Sequence, residues 1–238
     1  MLVAAAVCPC PPLLVPDVAA GAAPELDAAR TACSDALAVL AAARPDRLVV
    51  VGPTAGDAVT RYAAGTQGDF RGFGVDLDVA LGAPGDGTAD GPRLPASLAV
   101  GAWLLARTGQ AGAPVEGLAV GEHLDAARCA ATGRELAAGA GRVALLVLGD
   151  GSARRSLKAP GYLDERAAGF DERAARALGT ADTEALAALD PRLASELQAA
   201  GRAPWQVLAG AAGDTALEGR LLYEDAPYGV GYVVAVWS

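Results

Sequence analysis

Short apolar runs alternating with longer, alanine-rich amphipathic stretches constrain this chain more than any other feature. Leu2–Cys8 reads as a buried strand, and so do residues 47–51, 115–120 and 142–148. Between them, residues 24–43 carry apolar side chains at helical spacing (Leu26, Ala29, Cys33, Leu37, Leu40), and Arg44-Pro45 ends that helix. Further helices are expected over 95–107 and 125–140. From 164 to 212 the pattern is helical throughout, broken at Gly179, Asp190-Pro191 and Gly201. The proline-rich segment from Pro9 to Pro16 is expected to be a loop with no helix inside it. Residues 65–91 are glycine-rich, with a short strand expected over 75–80 and a surface loop over 82–91. Two late strand-like runs, 219–223 and 230–237, flank Glu224-Asp225-Ala226-Pro227-Tyr228-Gly229, which reads as a hairpin connection.

Strands separated by helices need crossover connections, so the sheet should be parallel at its centre, and the closing hairpin should make it mixed. With no linker, repeat or second core in view, the expectation is one α/β domain over 1–238. It should have three layers, helix–sheet–helix, around a mainly parallel, mixed central sheet.

Composition sets outer limits. Hydrophobic residues make up 53% of the 238 and charged residues 20%, which suits a folded chain with a real core. The net charge of −9 argues against nucleic acid as a partner, because neutralising phosphates takes clustered cations. The only basic cluster is Arg154-Arg155 with Lys158, the sole lysine. No stretch reaches the ~20 apolar residues of a membrane helix, and the run Leu2 to Val7 lacks the basic flank of a signal peptide. The expected setting is therefore cytoplasmic, without membrane contact. Four cysteines (Cys8, Cys10, Cys33, Cys129) are too few for a disulfide framework in a chain this long, and Cys8-Pro9-Cys10 has the wrong spacing for a zinc ribbon. They read as small buried thiols.

In open α/β sheets, ligands bind beyond the carboxyl ends of the strands. The loops that leave the strands there carry Cys8-Pro9-Cys10-Pro11-Pro12, Gly52-Pro53-Thr54-Ala55-Gly56, Gly149-Asp150-Gly151-Ser152-Ala153 and Tyr223-Glu224-Asp225. One crevice lined by Cys10, Thr54, Asp150, Ser152, Ala153, Glu224 and Tyr228 is the expected site. Cys10, Asp150 and Glu224 are its candidate catalytic groups. Asp150 and Ser152 also read as ordinary turn caps. The sole histidine, His123, follows the third core strand and reads as a helix-start or surface residue, with a catalytic base as the alternative. One histidine cannot supply a metal site that needs two. No nucleophile elbow, Walker A sequence or dinucleotide fingerprint is present.

These same segments resemble a family. Pro9-Cys10-Pro11-Pro12-Leu13-Leu14-Val15-Pro16 is similar to the Pro-His-Pro-Pro-Leu-Leu-Val-Pro opening of class III extradiol ring-cleavage dioxygenases of the LigB type. The likeness is strongest to a small bacterial branch of that superfamily, to which Memo-like proteins are related. Val49-Val50-Val51-Gly52-Pro53-Thr54 resembles its second strand, which ends in Ser-Pro-His, and Leu148-Gly149-Asp150-Gly151-Ser152-Ala153 resembles its Gly-Asp-x-Ser-His turn. Gly161-Tyr162 through Phe170-Asp171 is similar to the segment that follows, and Tyr223 to Tyr232 to the closing Tyr-Glu-x-x-Phe/Tyr-Gly-Val-Gly-Tyr.

The resemblance implies non-haem Fe2+ held by two histidines and a carboxylate, with positions left open for catecholate and dioxygen, and a third histidine as acid/base. Those histidine positions are Cys10, Thr54 and Ala153 here, and Glu224 or Asp225 stands for the carboxylate. The expectation is thus a LigB-like protein without its iron site, with no metal and no cofactor, whose crevice binds a small molecule or a protein partner. The alternatives are altered chemistry in the same crevice, with Cys10 as nucleophile or ligand, an interaction subunit, and the family's own dioxygenase activity. The alanine-rich helices between 164 and 212 offer a face for a homodimer.

Overall fold

The computed structural model describes residues 1–83, 91–108, 113–139, 141–213 and 215–238. In chain order the elements are β1 (Leu2–Cys8), α1 (Pro16–Ala19), α2 (Asp27–Ala42), β2 (Arg47–Thr54), β3 (Val59–Tyr62), β4 (Gln67–Asp69), β5 (Asp78–Ala80), α3 (Ala96–Thr108) and β6 (Val115–Gly121). There follow α4 (Ala126–Ala138), β7 (Val143–Leu148), α5 (Arg166–Gly179), α6 (Thr183–Ala187), α7 (Pro191–Glu196), α8 (Arg202–Ala212), β8 (Gly219–Asp225) and β9 (Tyr232–Trp237).

Seven strands form the main sheet in the order β3-β6-β2-β7-β1-β9-β8. The central four, β6, β2, β7 and β1, are parallel, while β3, β9 and β8 are added antiparallel to their inner neighbours. A sheet covered on both faces needs strands that are apolar on both, and every residue of β7 is buried. Successive side chains divide between the two sides. Val49 and Val51 face a core made with α4–α8, whereas Leu48 and Val50 face one made with α2 and α3. The result is a three-layer helix–sheet–helix fold with a mainly parallel, mixed sheet. Among the described residues no helix is long and apolar enough to cross a membrane.

Small residues set how closely two helices of the same layer approach. Gly133 of α4 lies so close to α8 that a Cβ there would sit 2.0 Å from the Val207 carbonyl oxygen, and a Cβ on Gly210 would sit 2.2 Å from that of Ala130. Only glycine permits this approach of two backbones. At the opposite edge, the register between β8 and β9 shifts between Leu221 and Tyr223, leaving Leu222 as an extra residue in a bulge. Leu222 and Tyr223 consequently both pack on the α2–α3 side.

The structure departs from the sequence reading at several points. The segment from Pro9 to Pro16 is not free of helix: Pro12–Leu14 forms a 3-10 turn and Pro16 opens α1, in both cases with proline at a first-turn position where its missing N–H costs nothing. The strand expected over 75–80 is confined to Asp78–Ala80, where it pairs with β4. Strands β3 and β4 have no counterpart in the sequence reading. Of the loop expected over 82–91, residues 84–90 lie outside the described residues. The long helical stretch divides into α5–α8 near the expected breaks, with Asp182 and Asp190 capping α6 and α7 through their side chains.

Candidate functional site

The carboxyl ends of β1, β2, β6 and β7 point to one end of the sheet, and the turn joining β8 to β9 lies at that end too. Asp150 stands two residues beyond β7 and Cys10 two beyond β1, on adjacent strands. The Cys10 backbone N–H donates to Asp150 Oδ1 at 2.8 Å, and the Asp150 carbonyl accepts from the Gly201 N–H at 2.8 Å. Burial pushes the Asp150 carboxyl up to about 7, against the opposing effect of the Cys10 N–H. The Cys10 thiol is buried, and both that burial and the Asp150 charge raise it well above an ordinary thiol.

Three phenols complete the group. Tyr232, the first residue of β9, is buried, and this raises its hydroxyl, with further upward pressure from Asp150, Cys10, Tyr228 and Tyr223. Tyr223 is pushed up to about 12 by burial and then by Asp225, toward which its hydroxyl points at 3.4 Å. The Tyr228 hydroxyl donates to Glu25 Oε2 at 2.8 Å, joining the β8–β9 turn to the segment after α1, 203 residues away in sequence. That segment is braced by Arg30, whose guanidinium donates to the carbonyls of Leu14 and Ala23 and pairs with Asp27. Tyr228 adopts a left-handed backbone (φ 57°), an uncommon state for a bulky residue.

Other expected site residues lie elsewhere. Ser152 does not line a crevice: it is fully buried, its N–H and Oγ donating to the two Asp171 oxygens at 2.7 and 3.0 Å, while Arg155 Nη1 pairs with Asp171 at 3.0 Å. A Cβ on Gly151 or Gly231 would collide with Asp171, so both glycines make room for this carboxylate. Burial raises the Asp171 pKa, partly offset by Ser152 and Arg155. Of the basic cluster, Arg155 is spent on Asp171 and Arg154 lies 3.7 Å from Asp164. The Ala153 N–H donates to the Leu197 carbonyl. Glu224 is exposed, and strand alternation puts it on the face opposite Tyr223 and Asp225. Asp225 is therefore the carboxylate that accompanies the tyrosines.

The donor set does not fit a ferrous ion. Thr54, the last residue of β2, offers a neutral hydroxyl, the Cys10 thiol resists ionisation, and Glu224 faces away. Among the described residues no three His, Cys, Asp or Glu side chains are grouped to share a metal. His123 is exposed ahead of α4 and lines a small recess of about 130 Å³ with Glu122, Ser195 and Gln198.

No protein-family model and no curated protein matches this chain. A solved structure does. The crystal structure of an uncharacterized Escherichia coli K12 protein, JW3007, superposes with a TM-score of 0.60 at 17% identity, over 99% of each chain. At that identity the likeness shows the fold alone.

Asp171 and Tyr232 enter the sequence expectation only as ends of segments that resemble the family, without a site role, and Glu25 does not enter it. The first two sit in apolar or helical surroundings that read as core, and the third meets Tyr228 only through tertiary structure. Arg202, also absent from the expected site, is a buried arginine whose Nη atoms donate to the Leu124 carbonyl at 2.6 Å and to the Glu122 carbonyl. Held by Gln206 Oε1 at 3.1 Å, it fixes the turn that presents His123. Its signal was available: an arginine in an otherwise apolar helix face asks for buried acceptors.

Proposed function

We propose that this is a LigB-like protein without an iron site, whose crevice binds a small polar molecule through Asp150 and the surrounding phenols. The observation that carries the reading is the Asp150 carboxyl, raised to about 7 and anchored by the Cys10 N–H beside Tyr232. Such a group exchanges a proton near neutrality, so it can donate to or accept from a bound hydroxyl, amine or carbonyl. Tyr223 and Tyr232 stay protonated at the same pH and supply further hydrogen-bond donors. Cys10 is ill suited to nucleophilic attack, because the thiolate is the reactive form and its surroundings oppose ionisation. Where altered chemistry is considered, proton transfer by Asp150 is the version with support. Neither a metal nor an organic cofactor is part of this reading, and a cytoplasmic setting accords with four free, buried thiols.

A fragment screen by NMR at pH 6 and pH 8, run on the wild type and Asp150→Asn, tests it. Fragments that seat in the crevice should change affinity through pH 7 in the wild type and be indifferent to pH in the variant. Binders unaffected by both Asp150→Asn and Tyr232→Phe would refute the site. Calorimetric titration with Fe2+ under anaerobic conditions should show no stoichiometric uptake; one tightly held ion per chain would overturn the metal-free reading.

A further inference from the structure

The geometry points to a second binding site, unrelated to the crevice, for a monoanionic amphiphile: an aliphatic or aryl carboxylate with its apolar body in a groove between α5 and the α6–α7 hairpin, and its carboxylate on Arg173. The groove has a volume of about 490 Å³, within the usual range for small-molecule sites. It exists because of the local sequence. Where α5 faces α6, the wall residues are Ala177, Ala185 and Ala188, which are too small to close the gap that the short helices leave. Phe170, Leu189 and Leu193 provide the apolar floor.

The rim is charged unevenly. Arg173 and Arg176 stand on α5 one turn apart, so both project over the same side. Arg176 is engaged, its Nη2 lying 2.7 Å from Glu172 Oε1. Arg173 is different: it is exposed at the mouth, and among the described residues no carboxylate pairs with it. On the facing wall, Asp182 and Asp190 each commit one oxygen to an N–H of their own helix, Ala185 and Arg192 respectively. An arginine on one side matches a carboxylate bidentately. Two aspartates on the other repel a second negative charge and leave the far end of the ligand best uncharged. The site should therefore prefer a monocarboxylate to a dicarboxylate of equal length, although the whole protein carries a net charge of −9 and would by itself favour cations.

Calorimetric titration with decanoate, decanedioate, decanol and decylammonium at pH 7 tests both the site and its polarity. Decanoate should bind, with decanedioate and decylammonium each roughly five-fold weaker or more. Arg173→Gln should weaken decanoate about five-fold and leave decanol unchanged. Ala185→Leu, which fills the groove from a half-buried position, should weaken decanoate and decanol alike. Asp150→Asn should alter neither, which separates this site from the crevice. Absent decanoate binding, binding that survives Arg173→Gln, tighter binding of decylammonium, or loss of decanoate binding in Asp150→Asn would each overturn the assignment.

Discussion

The Cys10 backbone N–H donates to the Asp150 carboxylate across 140 residues of sequence, tying the loop after β1 to the loop after its sheet neighbour β7. The bond holds the carboxyl in place without neutralising it, and burial dominates its titration.

Stability should consequently fall as pH rises from about 4 to about 7. In the unfolded chain Asp150 loses its proton near 3.8, whereas the folded protein keeps it until about 7, so between these values the native state binds the extra proton. Asp150→Asn mimics the protonated form and should reduce this slope, leaving the part owed to Asp171, whose pKa burial also raises. The variant's urea midpoint should match the wild type at pH 4 and lie above it at pH 8, the shift corresponding to roughly 1–3 kcal/mol of stability after allowance for partial solvent access. A wild-type profile that is flat from pH 4 to 7 would contradict the assigned burial cost.

Iodoacetamide should label none of the four cysteines quickly at pH 7.5 in the native protein, since all are buried and the Cys8, Cys10 and Cys129 thiols are raised. Labelling should appear only with denaturant. Rapid modification of Cys10 alone, measured by peptide mass spectrometry, would instead restore it as a reactive group.

Asp171→Ala should destabilise the fold by about 3 kcal/mol, because it strands the Ser152 N–H and hydroxyl and leaves Arg155 unpaired. Ser152→Ala removes only one of those bonds and should cost about 1 kcal/mol. Denaturant midpoints of both variants check the ranking. Equal costs would mean that Asp171 does not organise the turn.

Gly133→Ala should be among the most damaging substitutions, at about 3 kcal/mol or more, since the added carbon meets backbone of α8 that has no rotamer to yield. Gly72→Ala, where a Cβ meets nothing within 4 Å, is the control and should change the thermal midpoint little. Similar midpoints for the two would argue against a close α4–α8 crossing.

The architecture was legible because buried parallel strands are nearly continuous apolar runs. Leu2–Cys8 was read to the residue, and β6 and β7 to within one. Strand β3 escaped notice because Val59-Thr60-Arg61-Tyr62 is a half-exposed edge that alternates weakly, and β4 because three residues carry no period at all. Within the site, the loops that supply Cys10 and Asp150 were legible as turns after strands. The roles were not, since burial decides them. Ser152 reads as a polar pocket residue but is consumed by Asp171, and the carboxylate facing Tyr223 is Asp225 rather than Glu224, because beyond the Leu222 bulge the strand is regular and residues two apart share a face.

That extra residue in β8 has a further consequence. An outermost strand normally exposes a row of free amides and carbonyls on which another chain can add itself, and an irregular spacing spoils such cross-chain templating. The rim of the sheet carrying Tyr223 and Asp225 is thereby kept from zipping onto a neighbour. Deleting Leu222 should restore a regular outer strand and so favour chain-to-chain pairing along it, read as increased light scattering.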